Sequence, residues 1–179
     1  MHKNKIIRLN ILKERWGLQP SVKTHYDHQI YLKVLQKIST WSKQKYIAFY
    51  WPMENEVDTI ALIHTLLEKQ YKLCLPCIHK DKIIFKSITS VHFEYEYWKN
   101  MRQPVSAPTV KGNEIGLMII PLIGFNTAKY RLGYGFNHYN NYLHYYGKIH
   151  TIGLAYSFQK NDDFVTNNYD KVLDLIITN

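Results

Sequence analysis

The chain has 179 residues, 46% of them hydrophobic and 21% charged, enough apolar material to pack one domain without disulfide or metal staples. Its 15 tyrosines, 7 phenylalanines and 4 tryptophans exclude a solvated coil. Lys and Arg outnumber Asp and Glu by 23 to 14, for a net charge of +9; this points to an anionic ligand or a solubilising surface, but no basic block marks a nucleic-acid arm.

The opening MHKNKIIRLNILKERW carries charges through its apolar positions, unlike a signal peptide. Ile6, Leu9, Leu12 and Trp16 recur at helical spacing over residues 5–16, and Gly17 and Pro20 close the run. A second helix is predicted from an N-cap at Ser21 to about Trp41, with Ile30, Val34, Leu35 and Ile38 on one face. Tyr46 to Trp51, stopped by Pro52, has the form of a buried strand. Val57 to Lys69 reads as a helix through Leu62, Leu66 and Leu67, followed by strands at Tyr71 to Ile78 and Ile83 to Phe85. Val91 to Arg102 is ambiguous, and Pro104, Pro108 and Gly112 mark a loop that includes Gln103.

Ile115 to Leu122 is the most apolar segment and is predicted to be a central parallel strand. The run to Phe125 is broken by Gly116, Pro121 and Gly124, and falls short of the about 18 residues of a membrane span. A glycine-containing turn, a helix over about Asn137 to Tyr146, and strands at Ile149 to Tyr156 and Val172 to Ile177 complete the pattern. Strands alternating with helices predict an α/β three-layer sandwich, a mostly parallel central sheet flanked by helices, formed by residues 1–179 as a single domain. Two cysteines make no disulfide framework, and a cytoplasmic chain is expected. Cys74-Leu-Pro-Cys77 lies within a strand with no second pair, so neither zinc nor redox chemistry is assigned to it.

The strongest local signal runs from Pro121 to Leu143. A buried strand ends, Arg131 follows, and Gly133 and Gly135 let backbone approach whatever lies above the sheet before the next helix begins. Exposed amides, a helix N-terminus and a fixed cation are the parts of a phosphate cradle, sited where open α/β sheets bind ligands. A plain strand-to-helix turn would use the same glycines.

Arg131-Leu-Gly-Tyr-Gly135 followed by Tyr139 resembles the R-L-G-x-G-x-G-Y-Y-D signature of the 5-formyltetrahydrofolate cyclo-ligase family. Glu56-Val-Asp-Thr59, Leu73-Cys-Leu-Pro76, Asn100-Met-Arg-Gln-Pro104, Ile119 to Phe125 and Tyr169 to Thr178 resemble further family segments in order and spacing, over nearly the whole chain. The resemblance implies ATP- and Mg2+-dependent conversion of 5-formyltetrahydrofolate, with or without a polyglutamate tail, to 5,10-methenyltetrahydrofolate with release of ADP and phosphate.

It further implies an ATP site over Lys3, Lys5, Arg8, Arg131, Leu132, Gly133, Tyr134, Gly135, Phe136, Asn137, His138 and Tyr139, with Arg131 catalytic. It implies a folate site at Trp51, Glu56, Met101, Tyr134 and His138, and Mg2+ at Asp170 and Asn140. A monomer is expected, with neither membrane nor nucleic acid as partner.

Five departures stand out: Asn140 in place of an aspartate, Asn137 of the third glycine, His138 of the first paired aromatic, Asn126 of the aspartate after Gly-Phe, and Asn4 of a usual lysine. An amide oxygen ligates a hard cation without adding charge, so weaker metal binding is expected. A relative that binds folate or nucleotide without catalysis is the alternative, and a nucleic-acid-binding protein a more distant one. Purely structural readings also exist. Arg131 and Arg8 fit solvated charges, Trp51 and Tyr139 core residues, Glu56 and Asp58 a first-turn pair at a helix start, and Asp170 a turn cap.

Overall fold

A computed structural model describes residues 2–53 and 55–179. Helices α1 (His2–Trp16) and α2 (Pro20–Ile38) precede strand β1 (Tyr46–Ala48), helix α3 (Ile60–Glu68) and strands β2 (Leu73–His79) and β3 (Lys82–Ile88). Short strands β4 (Tyr95–Trp98), β5 (Met101–Pro104) and β6 (Thr109–Val110) lead to β7 (Ile115–Pro121). Strands β8 (Gly124–Phe125) and β9 (Arg131–Leu132), helix α4 (His138–Tyr146), β10 (His150–Leu154) and β11 (Leu175–Ile177) follow.

The main sheet has seven strands in the order β11-β10-β7-β1-β2-β3-β6. From β11 to β2 every pairing is parallel, while β3 and β6 add an antiparallel edge. Alternating side chains explain the three layers. Ile47, Leu73, Leu75, Leu117 and Ile119 meet Ile30, Val34 and Ile38 of α2 and Leu62, Ile63 and Leu66 of α3 on one face. Ala48, Cys74, Met118 and Ile120 meet Tyr142 and Leu143 of α4 on the other. Each fully buried Leu or Ile contributes about 1.5–3 kcal/mol relative to exposure. Cys74 and Cys77 are free, buried thiols in β2. Among the described residues no helix is long and apolar enough to cross a membrane.

Several expected elements shift. In α1 most of the predicted face is the outer one: Ile6, Leu9 and Trp16 are 46%, 54% and 58% exposed and Leu12 is half-buried, whereas Ile7, Ile11 and Arg15 are buried. A buried arginine interrupts the true i, i+4, i+8 stripe, so counting apolar residues selects the wrong side. Helix α2 starts at Pro20, after an N-cap at Gln19 and not at Ser21, because proline's fixed φ suits the first helical position; it stops at Ile38, short of Trp41.

Helix α3 begins at Ile60 and not Val57. Asp58 Oδ1 accepts the Ile60 N–H at 2.8 Å, and Thr59 Oγ1 donates to the Tyr50 carbonyl at 2.8 Å, so side chains hold residues 56–59 as a loop. The Val91 to Arg102 region resolves into the β4–β5 hairpin, with Lys99 at a left-handed φ of 53°. Gln103 is a buried strand residue, not a loop one: its Oε1 accepts the Ile78 N–H at 2.8 Å and its Nε2 donates to Glu96 at 2.7 Å.

Candidate active site

Strand β1 runs between β7 and β2, the point at which connections leave in opposite directions across the sheet. The carboxyl ends of neighbouring strands diverge there and open a crevice. A cavity of about 520 Å³ occupies it, walled by Tyr50 and Trp51 after β1, Ile78 near the end of β2 and Pro121 at the end of β7. The β4–β5 hairpin tip, Trp98 to Met101, covers one side, and the segment from Arg131 in β9 through the connecting loop to Asn140 in α4 covers the other.

Two glycines shape that loop. Gly135 has a φ of 101°, closed to most side chains, and a Cβ on Gly133 would lie 2.9 Å from Arg131 Nη1. Asn137 takes a left-handed φ of 55° just before α4, a conformation asparagine tolerates best after glycine. Its side chain makes no capping bond, which leaves the first-turn amides of α4 uncapped beside the cavity.

A polar chain crosses the cavity wall. Arg131 Nη2 donates to Asn140 Oδ1 at 3.1 Å, Asn140 Nδ2 donates to Asp170 Oδ1 at 2.9 Å, and the Asn167 N–H donates to Asp170 Oδ2 at 2.9 Å. The Arg131 guanidinium lies 5.3 Å from the Tyr139 ring centroid. Burial lowers the Arg131 pKa, opposed by Tyr139 and Asp170, and a guanidinium so far above neutrality stays charged. Burial raises Tyr139 well above the ordinary tyrosine range, so it stays protonated.

The Arg131 Nε and His138 Nε2 atoms are buried without hydrogen-bond partners. Orphaned polar atoms of this kind mark places where a ligand is to complete the bonding. Among the described residues no group of three or more His, Cys, Asp or Glu side chains could hold a metal alone.

On the opposite wall Glu56 is buried, and its Oε2 accepts the Met53 N–H at 2.9 Å. Trp51 is buried edge-on to Phe93, with centroids 5.1 Å apart. Tyr134 reaches toward Glu56; burial and that carboxylate push its hydroxyl up to about 12, so it acts as a donor. Behind Glu56, Tyr156 donates to Asp27 Oδ1 at 2.8 Å, and the Asp58 N–H reaches the same oxygen at 3.2 Å. Lys23 Nζ pairs with Asp27 Oδ2 at 2.7 Å.

Most of the expected site residues therefore line one cavity: Arg8, Trp51, Glu56, Met101, Arg131 to Asn140, and Asp170. Arg8 Nε donates to the Gly133 carbonyl at 2.8 Å, fastening α1 to the glycine loop. Lys3 and Lys5 are not on the described wall: both are exposed, and Lys3 pairs with Asp163 at 3.6 Å. Asn4 between them lines the cavity and bonds both ways to the Val165 backbone at 2.8 Å. Arg15, Tyr50, Met53 and Trp98 are near or in the site but absent from the sequence expectations. Only Arg15 left a signal, its i+4 spacing from Ile11.

A doubly wound sheet with a polar crevice at its switch point, a fixed cation and an opposed carboxylate defines an α/β enzyme whose site two flanking loops cover. A sequence model of the 5-formyltetrahydrofolate cyclo-ligase family matches residues 1–179, and the chain belongs to that family. It is similar to the 5-formyltetrahydrofolate cyclo-ligases of Mycoplasma pneumoniae, 34% identical over 99% of this chain and 98% of that one, and Mycoplasma genitalium, 33% identical over the same shares. The structure of a 5,10-methenyltetrahydrofolate synthetase from Mycoplasma pneumoniae superposes with a TM-score of 0.82 at 32% identity, covering 98% of both chains. The family's reaction, conversion of 5-formyltetrahydrofolate to 5,10-methenyltetrahydrofolate, is the activity that these likenesses give the chain.

Proposed function

We propose that the chain performs this cyclisation with ATP and Mg2+, as one domain and a monomer in the cytoplasm, where its two buried thiols stay reduced. The observation that carries the reading is the joining of a phosphate-type cradle and an apolar, carboxylate-bearing wall in one cavity. In this scheme the formyl oxygen takes the γ-phosphoryl group and ADP leaves. N10 then attacks the formyl carbon, loses its proton, and phosphate departs with the original formyl oxygen.

Arg131 and the uncapped amides of α4 bind the phosphates, and Arg131 offsets the charge that builds during transfer. Its guanidinium is held in place by Asn140 and Tyr139, so little reorganisation is required. Asp170 suits Mg2+, which takes one or two carboxylates with phosphate oxygens and water, and each of its oxygens makes only one bond here. Asn140 fits less well as a ligand, since its oxygen already accepts from a cation; we assign it to holding Arg131 and Asp170 in register. The metal, when bound, shields the phosphate charges and draws electrons from the γ-phosphorus.

Glu56 accepts hydrogen bonds from the pterin ring, and Trp51 and Met101 supply the apolar wall; a polyglutamate tail would leave by the open side. Mixing the protein with 5-formyltetrahydrofolate and Mg-ATP and following near-ultraviolet absorbance tests the reading. Methenyl product is expected only with all components present. Product formation without ATP would overturn the phosphorylation scheme.

A further inference from the structure

Arg15 is a buried charge with a bond left to make. It is 3% exposed, although it stands on the surface helix α1. Its Nε donates to the Asn55 carbonyl at 3.0 Å, which fixes the guanidinium against the peptide that leads into Glu56. Its Nη1 is buried with no hydrogen-bond partner. Anchoring the Asn55 carbonyl requires only the Nε bond, and leaving a charged donor unmatched is unfavourable.

Arg15 lines a side pocket of about 90 Å³ with Leu12, Trp16, Met53, Asn55, Asn100 and Tyr134. Met53, Asn100 and Tyr134 also line the main cavity, so the pocket opens from the same wall. The Tyr134 hydroxyl is influenced by both Arg15 and Glu56, so both charges lie near one phenol. A space of that size admits an oxygen substituent, not a ring.

A folate pterin carries a matching edge. Its 2-amino group and N3–H are adjacent donors, and the 4-oxo oxygen beside them is an acceptor. A carboxylate complements the donors and a guanidinium N–H complements the acceptor. We propose that Arg15 reads the pterin 4-oxo group next to Glu56 and thereby selects 4-oxo over 4-amino pterins. This rests on the assignment of Glu56 to the folate.

The test measures binding of 5-formyltetrahydrofolate and of its 4-amino counterpart to the full chain by calorimetry, for wild type, Arg15→Gln and Arg15→Lys. The wild type binds the 4-oxo ligand more tightly. Arg15→Gln weakens the 4-oxo ligand by about 10- to 100-fold and the 4-amino ligand by less than about threefold, because a site built around one polar contact discriminates through it. Arg15→Lys lies between, and ATP affinity is unchanged. Equal weakening of both pterins, or no change in either, overturns the proposal and leaves Arg15 as an anchor of the turn. Should Arg15→Gln fail to fold, Arg15→Lys carries the same comparison. Glu56→Gln is the independent arm: if it leaves folate affinity untouched, the underlying folate assignment falls, and if it weakens folate while Arg15 variants discriminate normally, only the Arg15 proposal falls.

Discussion

The two walls of the cavity solve opposite problems. The Arg131 wall is a relay of side chains in which each group holds the next, from Arg131 through Asn140 to Asp170. The Glu56 wall is held from behind: Asp27 on α2 and Tyr156 after β10 grip the 56–58 backbone from the face away from the cavity. Charge that must meet phosphate has to be exposed to it, so its supports lie in the cavity. A carboxylate that sorts one ring edge needs a fixed backbone, so its supports lie in the core. Removing a member of the relay should therefore alter chemistry with little effect on stability, whereas loosening the backing should alter both.

The largest effect is expected at Arg131. Arg131→Ala removes a charge-assisted phosphate contact and lowers ATP affinity about 10- to 100-fold, while folate affinity moves less than about threefold. Calorimetric titration with each ligand checks it, and equal losses would erase the distinction between the walls. Next is Tyr156→Phe, which removes the hydroxyl donated to Asp27 Oδ1. A buried, charge-assisted bond of this kind is worth about 1.5–3 kcal/mol. A lower melting temperature is expected, together with a raised KM for folate and an unchanged KM for ATP.

Asn140→Asp sharpens the comparison from the relay side. The new carboxylate pairs with Arg131 and adds an anionic oxygen beside Asp170, so the Mg2+ concentration for half-maximal turnover falls. Repulsion from Asp170 opposes this and is offset when the cation sits near both. A magnesium titration with unchanged midpoint would show that this position does not reach the cation even as a carboxylate.

The smallest effect is expected at His138, whose pKa is lowered, first by burial and then by Lys99. The unfolded chain binds this proton more readily than the folded one, so stability is fully present above the ordinary histidine pKa of about 6.5. It declines as pH falls through that value toward the lowered folded one. His138→Gln should flatten the fall in melting temperature across that interval, and an unaltered slope would discount the burial.

How much was legible in the sequence followed from how local each signal was. The strand over Ile115–Pro121 and the face of α2 read correctly, because an unbroken apolar run and an uninterrupted i, i+4 stripe are self-sufficient patterns. The β4–β5 hairpin did not, since its exposed aromatic ladder is stabilised by cross-strand pairs and by Arg102 stacked on Tyr95 at 4.6 Å, none of which shows as periodicity. The motif Arg131 to Tyr139 was visible as a motif; that Asn140 joins Arg131 to Asp170, 30 residues further on from Asn140, was not.

The sequence by itself determined the order of the four helices and of strands β1, β2, β3, β7, β10 and β11, the layered α/β class, the family and the residues of the glycine loop, because these depend on patterns confined to neighbouring positions. Only the tertiary structure decided which side of α1 faces inward, that Arg15 lies buried at the turn before Glu56, and that Asn4 rather than Lys3 or Lys5 lines the cavity. These outcomes are set by what distant segments bring opposite each side chain: a buried arginine is tolerated because the Asn55 carbonyl meets it, and no local pattern encodes that meeting.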